Sequence, residues 1–179
     1  MEIKLEFQGH RLTELVSPEE IKERINKLGE EISKKFEGEI PIFIGVLNGS
    51  FIFMADLVRA LSIDCEMDFI KVSSYSGTKS TGSVHLLKDL SADISGRHVI
   101  LVEDIVDSGI TIKFIRDRFL VSDPASLSVV SLLFKPEIAD IDFEIDYVGF
   151  EIPPEFVVGY GLDNDQKIRH LKGIYRLEQ

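Results

Sequence analysis

Apolar residues recur at two different spacings along this chain, and the alternation between the two lays out its elements. Ile21, Ile25, Leu28, Ile32 and Phe36 follow one another at helical intervals. Ser17–Pro18–Glu19–Glu20 opens that segment with proline at the first helical position and the S-x-x-E pattern of a capping box, and Gly38 closes it. Ile40–Leu47 is a short apolar run ended by Asn48–Gly49, which predicts a buried strand and a tight turn. Phe51–Leu61 follows as a helix. Met67–Ser73 and Val84–Leu90 read as strands, and between them Ser74–Ser83 is polar, with two glycines and no apolar anchor besides Tyr75. Ser95–Gly96 turns the chain into a strand over His98–Glu103. Thr111–Val121 is the next helix and Ser126–Phe134 another buried strand. Asp146–Glu151 and Phe156–Gly159 complete the set, with Pro153–Pro154 between them as punctuation.

Buried strands alternating with helices predict an α/β fold with a parallel sheet. In such sheets ligands collect at the carboxyl ends of the strands, so the residues after each strand carry the functional question.

Composition narrows the classes. The chain has 179 residues, enough for one domain of ordinary size. Twenty Lys and Arg stand against 31 Asp and Glu, and the resulting net charge of −11 argues against a nucleic-acid partner. Runs such as Val99–Val102 and Val129–Phe134 fall far short of the ~20 apolar residues a membrane helix needs. Met1–Lys4 lacks a basic region followed by an apolar core, so no secretory signal is expected and the expected address is cytoplasmic. Cys65 stands alone, which excludes an internal disulfide and any CxxC site. His10, His85, His98 and His170 show no ligand spacing and read as structural.

The chemistry concentrates in Val99-Ile100-Leu101-Val102-Glu103-Asp104-Ile105-Val106-Asp107-Ser108-Gly109-Ile110-Thr111. Four apolar residues make a buried strand. Two adjacent carboxylates, a third three residues later, and Ser-Gly-x-Thr running into a helix come next. Ser108–Thr111 can wrap a phosphate, because glycine permits close backbone approach and a helix N-terminus presents unpaired N–H groups. Carboxylates beside a phosphate repel it unless a cation or ribose hydroxyls stand between. The pattern therefore suits a phosphorylated sugar whose hydroxyls, with Mg²⁺, meet Glu103 and Asp104. The P-loop pattern GxxxxGK[ST] is absent, and Gly159-Tyr160-Gly161 lacks the third glycine of a dinucleotide fingerprint.

Val99–Thr111 resembles the phosphoribosyl-diphosphate signature of type I phosphoribosyltransferases, and other segments narrow the likeness to the hypoxanthine(-guanine) phosphoribosyltransferase family. Gly45-Val46-Leu47-Asn48-Gly49-Ser50 resembles its pyrophosphate loop, and Ser74-Tyr75 opens a stretch similar to its catalytic flap. Phe134-Lys135 resembles the purine-contacting strand end. Val148–Pro153, Phe156–Asp163 and Arg169 resemble its C-terminal hood.

The resemblance implies a type I phosphoribosyltransferase fold over residues 1–179 as a single domain. A twisted parallel sheet would be flanked by helices, with a flexible flap and a small hood built from parts of the N-terminus and about residues 150–179. It also implies purine salvage: a 6-oxopurine and phosphoribosyl diphosphate would give IMP or GMP and pyrophosphate, with Mg²⁺ required. Glu103 and Asp104 would bind the ribose hydroxyls and the magnesium they hold, and Asp163 would hold a second magnesium. Asp107 would be the general base near purine N7. Ser108, Gly109, Ile110 and Thr111 would bind the 5′-phosphate, while Asn48, Gly49 and Arg169 would hold pyrophosphate. Lys135 would donate to the 6-oxo group, Phe156 would stack on the ring, and Val157 would meet the ring edge through its backbone, with Asp163 also on the purine side. Tyr75 would cover the closed site. The likeness further implies a homodimer or homotetramer and a cis peptide at Leu47–Asn48.

Two departures from the family pattern stand out. Asn48 takes a place where lysine is common in the pyrophosphate loop, and Ile110 takes a lysine's place in the phosphate loop, so main-chain donors must do more of the binding in both. Two rival readings remain at this point: a regulator that senses phosphoribosyl diphosphate without catalysis, and a phosphoribosyltransferase for another base.

Overall fold

The structure, a computed structural model, describes residues 5–74 and 84–178. In chain order its elements are β1 (Leu5–Phe7), β2 (His10–Val16), α1 (Pro18–Lys35), β3 (Ile42–Leu47), α2 (Phe51–Arg59), β4 (Glu66–Ser74) and β5 (Val84–Lys88). Then come β6 (His98–Val106), α3 (Ile110–Leu120), β7 (Ser126–Phe134), β8 (Tyr147–Glu151), β9 (Val157–Val158) and β10 (Ile174–Leu177). The flap expectation is divided by these bounds. Ser74 ends β4, whereas Tyr75 and the rest of the polar stretch to residue 83 lie outside the described residues.

The capping box forms as the sequence predicts: the Glu20 N–H donates to Ser17 Oγ at 3.3 Å, and the Ser17 N–H donates to Glu20 Oε2 at 2.8 Å. Two otherwise orphaned donors are thereby satisfied at the start of α1. Its apolar stripe, Ile21 through Ile32, is buried against Phe43, Ile100 and Val102 of the sheet. Leu28 and Ile32 are fully enclosed, so truncating either to alanine costs about 2–5 kcal/mol.

The central sheet runs β5-β4-β3-β6-β7-β8. Neighbours from β4 to β8 pair in parallel, and β5 joins β4 antiparallel at the edge. The expected parallel sheet is thus present, with β5 added antiparallel at its edge. Alternate residues of β3 and β6 feed two separate cores: Phe43, Ile100 and Val102 pack toward α1 and α2, while Ile42, Ile44, Val99 and Leu101 pack with Ile112, Ile115 and Phe119 of α3. A strand covered on both faces must be apolar at every position, which explains the unbroken runs.

A second sheet, β1-β2-β10-β9, is antiparallel and joins the two ends of the chain. Sequence patterning predicts only β9 of these four strands, and places it at Phe156–Gly159 where the structure has Val157–Val158. In β2 only Leu12 and Val16 are buried, too few for an alternation to emerge. Among the described residues no helix is long and apolar enough to cross a membrane.

Candidate active site

The strand that carries the acidic pair is longer than its sequence predicts. β6 runs to Val106, because β7 is equally long and keeps pairing with it past Val102, at Glu103↔Ser131, Ile105↔Leu133 and Val106↔Phe134. Asp104 therefore sits on the strand with Glu103 rather than after it. Asp107 is the first residue beyond it, followed by a turn into α3. Gly109 takes φ 86°, a left-handed conformation that favours glycine, and a side chain there would also strike Ile141. The Asp140 N–H donates to the Ser108 carbonyl at 3.0 Å, so the segment after β7 buttresses the loop from behind. Gly109 provides no side-chain cap for α3, and the Ile110 N–H makes only a long 3.5 Å contact to Ser108 Oγ. The N-terminal N–H groups of α3 therefore have little competition for an anion.

Gly49, Val46, Leu47, Val72 and residues 103–109 with Thr111 and Ile112 line one cavity of about 450 Å³ at the carboxyl ends of β3, β4 and β6. The Leu47–Asn48 peptide is cis, as the resemblance implies. Gly49 has no room for a side chain, since a Cβ would overlap the Asp104 carboxylate. Gly49 of the expected pyrophosphate loop and Asp104 of the expected ribose-binding pair are thus in direct contact.

Electrostatics mark the acidic pair as unsatisfied. Glu103 is buried, and burial, then the neighbouring Asp104 charge, holds its carboxyl well above the usual range. Asp104 is pushed up to about 6, mainly by its enclosure, against the opposing pull of the Ile105 N–H and of Arg169. Two crowded carboxylates in a low-dielectric cleft are short of positive charge. A hard divalent cation suits that deficit, because Mg²⁺ is commonly held by one or two carboxylates and completes its shell with substrate oxygens and water. Asp163 does not join them: it pairs with Arg169 at 2.9 Å, and among the described residues no group of three or more His, Cys, Asp or Glu converges on a metal position. Asp163 thus stands apart from the Glu103–Asp104 pair, on the Arg169 side of the cleft, where the resemblance assigns it to a second magnesium.

The other predicted residues fall into two groups. Lys135, only 6% exposed, reaches Asp107 at 3.1 Å, so the purine-side cation and the expected base already touch. Arg169 Nη1 donates to the Gly161 carbonyl at 2.7 Å, and Gly161 packs so closely on Gly49 that a Cβ would overlap the Gly49 carbonyl. Arg169 is thereby placed at the pyrophosphate loop. Phe156 is exposed just before β9, which leaves a ring face free for stacking. Val157 is buried in β9, whose second backbone edge has no strand partner among the described residues. Ile110 is exposed at the start of α3, and Thr111 lies within the cavity lining. Tyr160 is the residue that sequence reasoning misses. Its sequence context reads as part of the hood and of an incomplete glycine motif, with no role for the residue itself, yet its hydroxyl donates to Asp56 of α2 at 2.5 Å.

Comparison with known proteins places this arrangement in context. Residues 12–165 match the phosphoribosyl transferase domain family. A hypoxanthine-guanine phosphoribosyltransferase of Streptococcus pneumoniae is 47% identical over 166 residues, which cover 92% of each chain. The crystal structure of a hypoxanthine-guanine phosphoribosyltransferase from Bacillus anthracis superposes with a TM-score of 0.88 at 46% identity, covering 93% of this chain and 98% of that one. The hypoxanthine phosphoribosyltransferase of Trypanosoma cruzi, in complex with the product IMP, superposes with a TM-score of 0.88 at 40% identity over 97% of both chains.

Proposed function

Since this chain belongs to the phosphoribosyltransferase family, we propose that it is an enzyme of purine salvage, joining a 6-oxopurine to phosphoribosyl diphosphate to give the nucleoside monophosphate and pyrophosphate. One observation carries the purine assignment: the buried Lys135 ammonium stands 3.1 Å from Asp107, beside the cavity that holds the phosphate loop. Lysine offers only donors, which suits a 6-oxo acceptor. Neither a sensor without catalysis nor an enzyme for another base is supported by the named relatives.

In this reading Ser108 to Thr111 bind the 5′-phosphate through main-chain N–H groups and two hydroxyls. Glu103 and Asp104 hold the ribose hydroxyls and, with them, Mg²⁺. Asn48, Gly49 and Arg169 receive the diphosphate. Asp163 would hold a second Mg²⁺, and the metal, when bound, would supply positive charge to offset the charge on the departing pyrophosphate. Lys135 orients the base through its 6-oxo group, Phe156 stacks on it, and Val157 meets its edge. Asp107 takes the proton at N7 as the ring bonds to C1′, which has oxocarbenium character. Ser74 and Tyr75 begin the lid that keeps water from that centre. The whole of residues 1–179 acts as one domain, in the cytoplasm, as a homodimer or homotetramer, and sedimentation checks the last of these.

The test is nucleotide formation from phosphoribosyl diphosphate with hypoxanthine, guanine, xanthine and adenine in turn, with Mg²⁺ or with excess chelator. Product from hypoxanthine and guanine, lost on chelation and restored by Mg²⁺, is the expected result. Full activity in chelator would sink the metal assignment, and turnover of adenine alone would sink the purine assignment.

A further inference from the structure

The turn Gly159–Leu162 is held at two points that lie far apart in sequence. At one, Gly161 at φ 102° presses its backbone against the Gly49 carbonyl in the pyrophosphate loop. At the other, Tyr160, itself at φ 49° and only 7% exposed, sends its hydroxyl to Asp56 on α2. α2 begins at Phe51, immediately after that same loop, so loop and helix move as one piece. The Gly161 N–H donates to the Arg169 carbonyl at 2.9 Å, and the Arg169 guanidinium donates back to the Gly161 carbonyl at 2.7 Å. Anything that tilts Tyr160 therefore moves Gly161 and Arg169 together.

We infer that Tyr160 and Asp56 are a positioning pair for the diphosphate half of the substrate, their hydrogen bond setting the pose of Gly161 and Arg169 over the pyrophosphate loop. Neither side chain lines the cavity of the acidic pair, so neither is a catalytic residue. Asp56 keeps a second partner, Arg59, and both groups border a separate cavity of about 530 Å³ between α1, α2 and the hood. Water there can solvate Asp56 when the phenol is removed, so stability changes little while the orientation is lost. The purine side is anchored elsewhere, by Lys135 on the β7 end and by the β9–β10 pairing. Its binding should be spared.

This inference rests on the proposed reaction, and the test separates the two. Tyr160→Phe is expected to raise KM for phosphoribosyl diphosphate, and the calorimetric Kd for pyrophosphate with Mg²⁺, by about 5- to 10-fold, the size of one hydrogen bond to a charged group partly replaced by water. KM for hypoxanthine and the melting temperature should stay nearly constant. Asp56→Ala should match Tyr160→Phe. Asp56→Asn, which keeps a carbonyl acceptor, should restore most of the binding, and the Tyr160→Phe/Asp56→Ala double variant should be no worse than either single one. Equal shifts for both substrates, no shift in either, or additive losses overturn the pair's role. If Tyr160→Phe does not fold, the Asp56 series decides the same question. Failure of the unsubstituted protein to make nucleotide overturns the proposed reaction instead, and the pyrophosphate titration still decides on the pair.

Discussion

Removing the Lys135 ammonium while keeping its stem isolates the contact proposed to select the purine. Lys135→Met preserves the aliphatic packing of a side chain that is 6% exposed. In the free protein this ammonium pairs with Asp107 at 3.1 Å, and the Asp107 side chain is half open to solvent. Such a water-facing pair is worth ~0–1 kcal/mol. A charge-assisted hydrogen bond to the 6-oxo group contributes about 1.5–3 kcal/mol. Exchanging one for the other leaves ~0.5–3 kcal/mol, or about 2- to 150-fold in kcat/KM for hypoxanthine and guanine. Adenine presents an amino donor at that position, so the unsubstituted protein should disfavour it by a factor on the order of 10³, below the full penalty because lysine can swing to solvent. The assay is initial-rate nucleotide formation at saturating phosphoribosyl diphosphate for each base. Lys135→Met should lose 6-oxopurine efficiency, leave adenine near its low value, and keep KM for phosphoribosyl diphosphate within about twofold, since the contact lies on the base side. Comparable kcat/KM for adenine and hypoxanthine in the unsubstituted protein would refute the reasoning, as would a loss expressed only in KM for phosphoribosyl diphosphate.

Three further outcomes are expected. Asp107→Asn should lower kcat by at least ~10-fold, a floor set below the ~10²–10⁴-fold of general-base effects because Asn still hydrogen-bonds at N7, while phosphoribosyl-diphosphate binding survives; an unchanged single-turnover rate removes Asp107 from that role. Gly161→Ala places a side chain at φ 102° against the Gly49 carbonyl, so it should cost about 2 kcal/mol or more in denaturant unfolding and weaken pyrophosphate binding; a neutral variant contradicts the close contact. Asp104 titrates at about 6 in the folded chain and at its ordinary 3.8 when unfolded, so between those values the folded state holds the extra proton. Its contribution is fully present below pH 3.8 and is lost as pH rises toward 6, so the metal-free protein should be destabilised across that window, and Asp104→Asn should flatten the profile relative to the unsubstituted protein. A steeper profile in the variant contradicts the assignment.

What the sequence determined by itself is whatever is local along the chain. The capping box at Ser17–Glu20 lies within one turn, and the strand, carboxylates, phosphate loop and helix start of Val99–Thr111 are contiguous, so neighbours in sequence are neighbours in space. Burial of β3 and β6 on both faces left short apolar runs, and their length together with flanking turn residues marks them as strands. Only the tertiary structure decided the rest, because it depends on partners the local pattern does not contain. β7 set the length of β6 and so drew Asp104, Ile105 and Val106 into the strand. The hood sheet pairs β2 near the start with β10 at the end, across strands too short or too exposed to show a period. Lys135 reaches Asp107 across 28 residues, and Tyr160 reaches Asp56 across 104. Each of those side chains reads alone as an ordinary surface or core residue. Their chemistry appears only when the fold closes the loop between them, and loop closure is a property of the whole chain rather than of any segment.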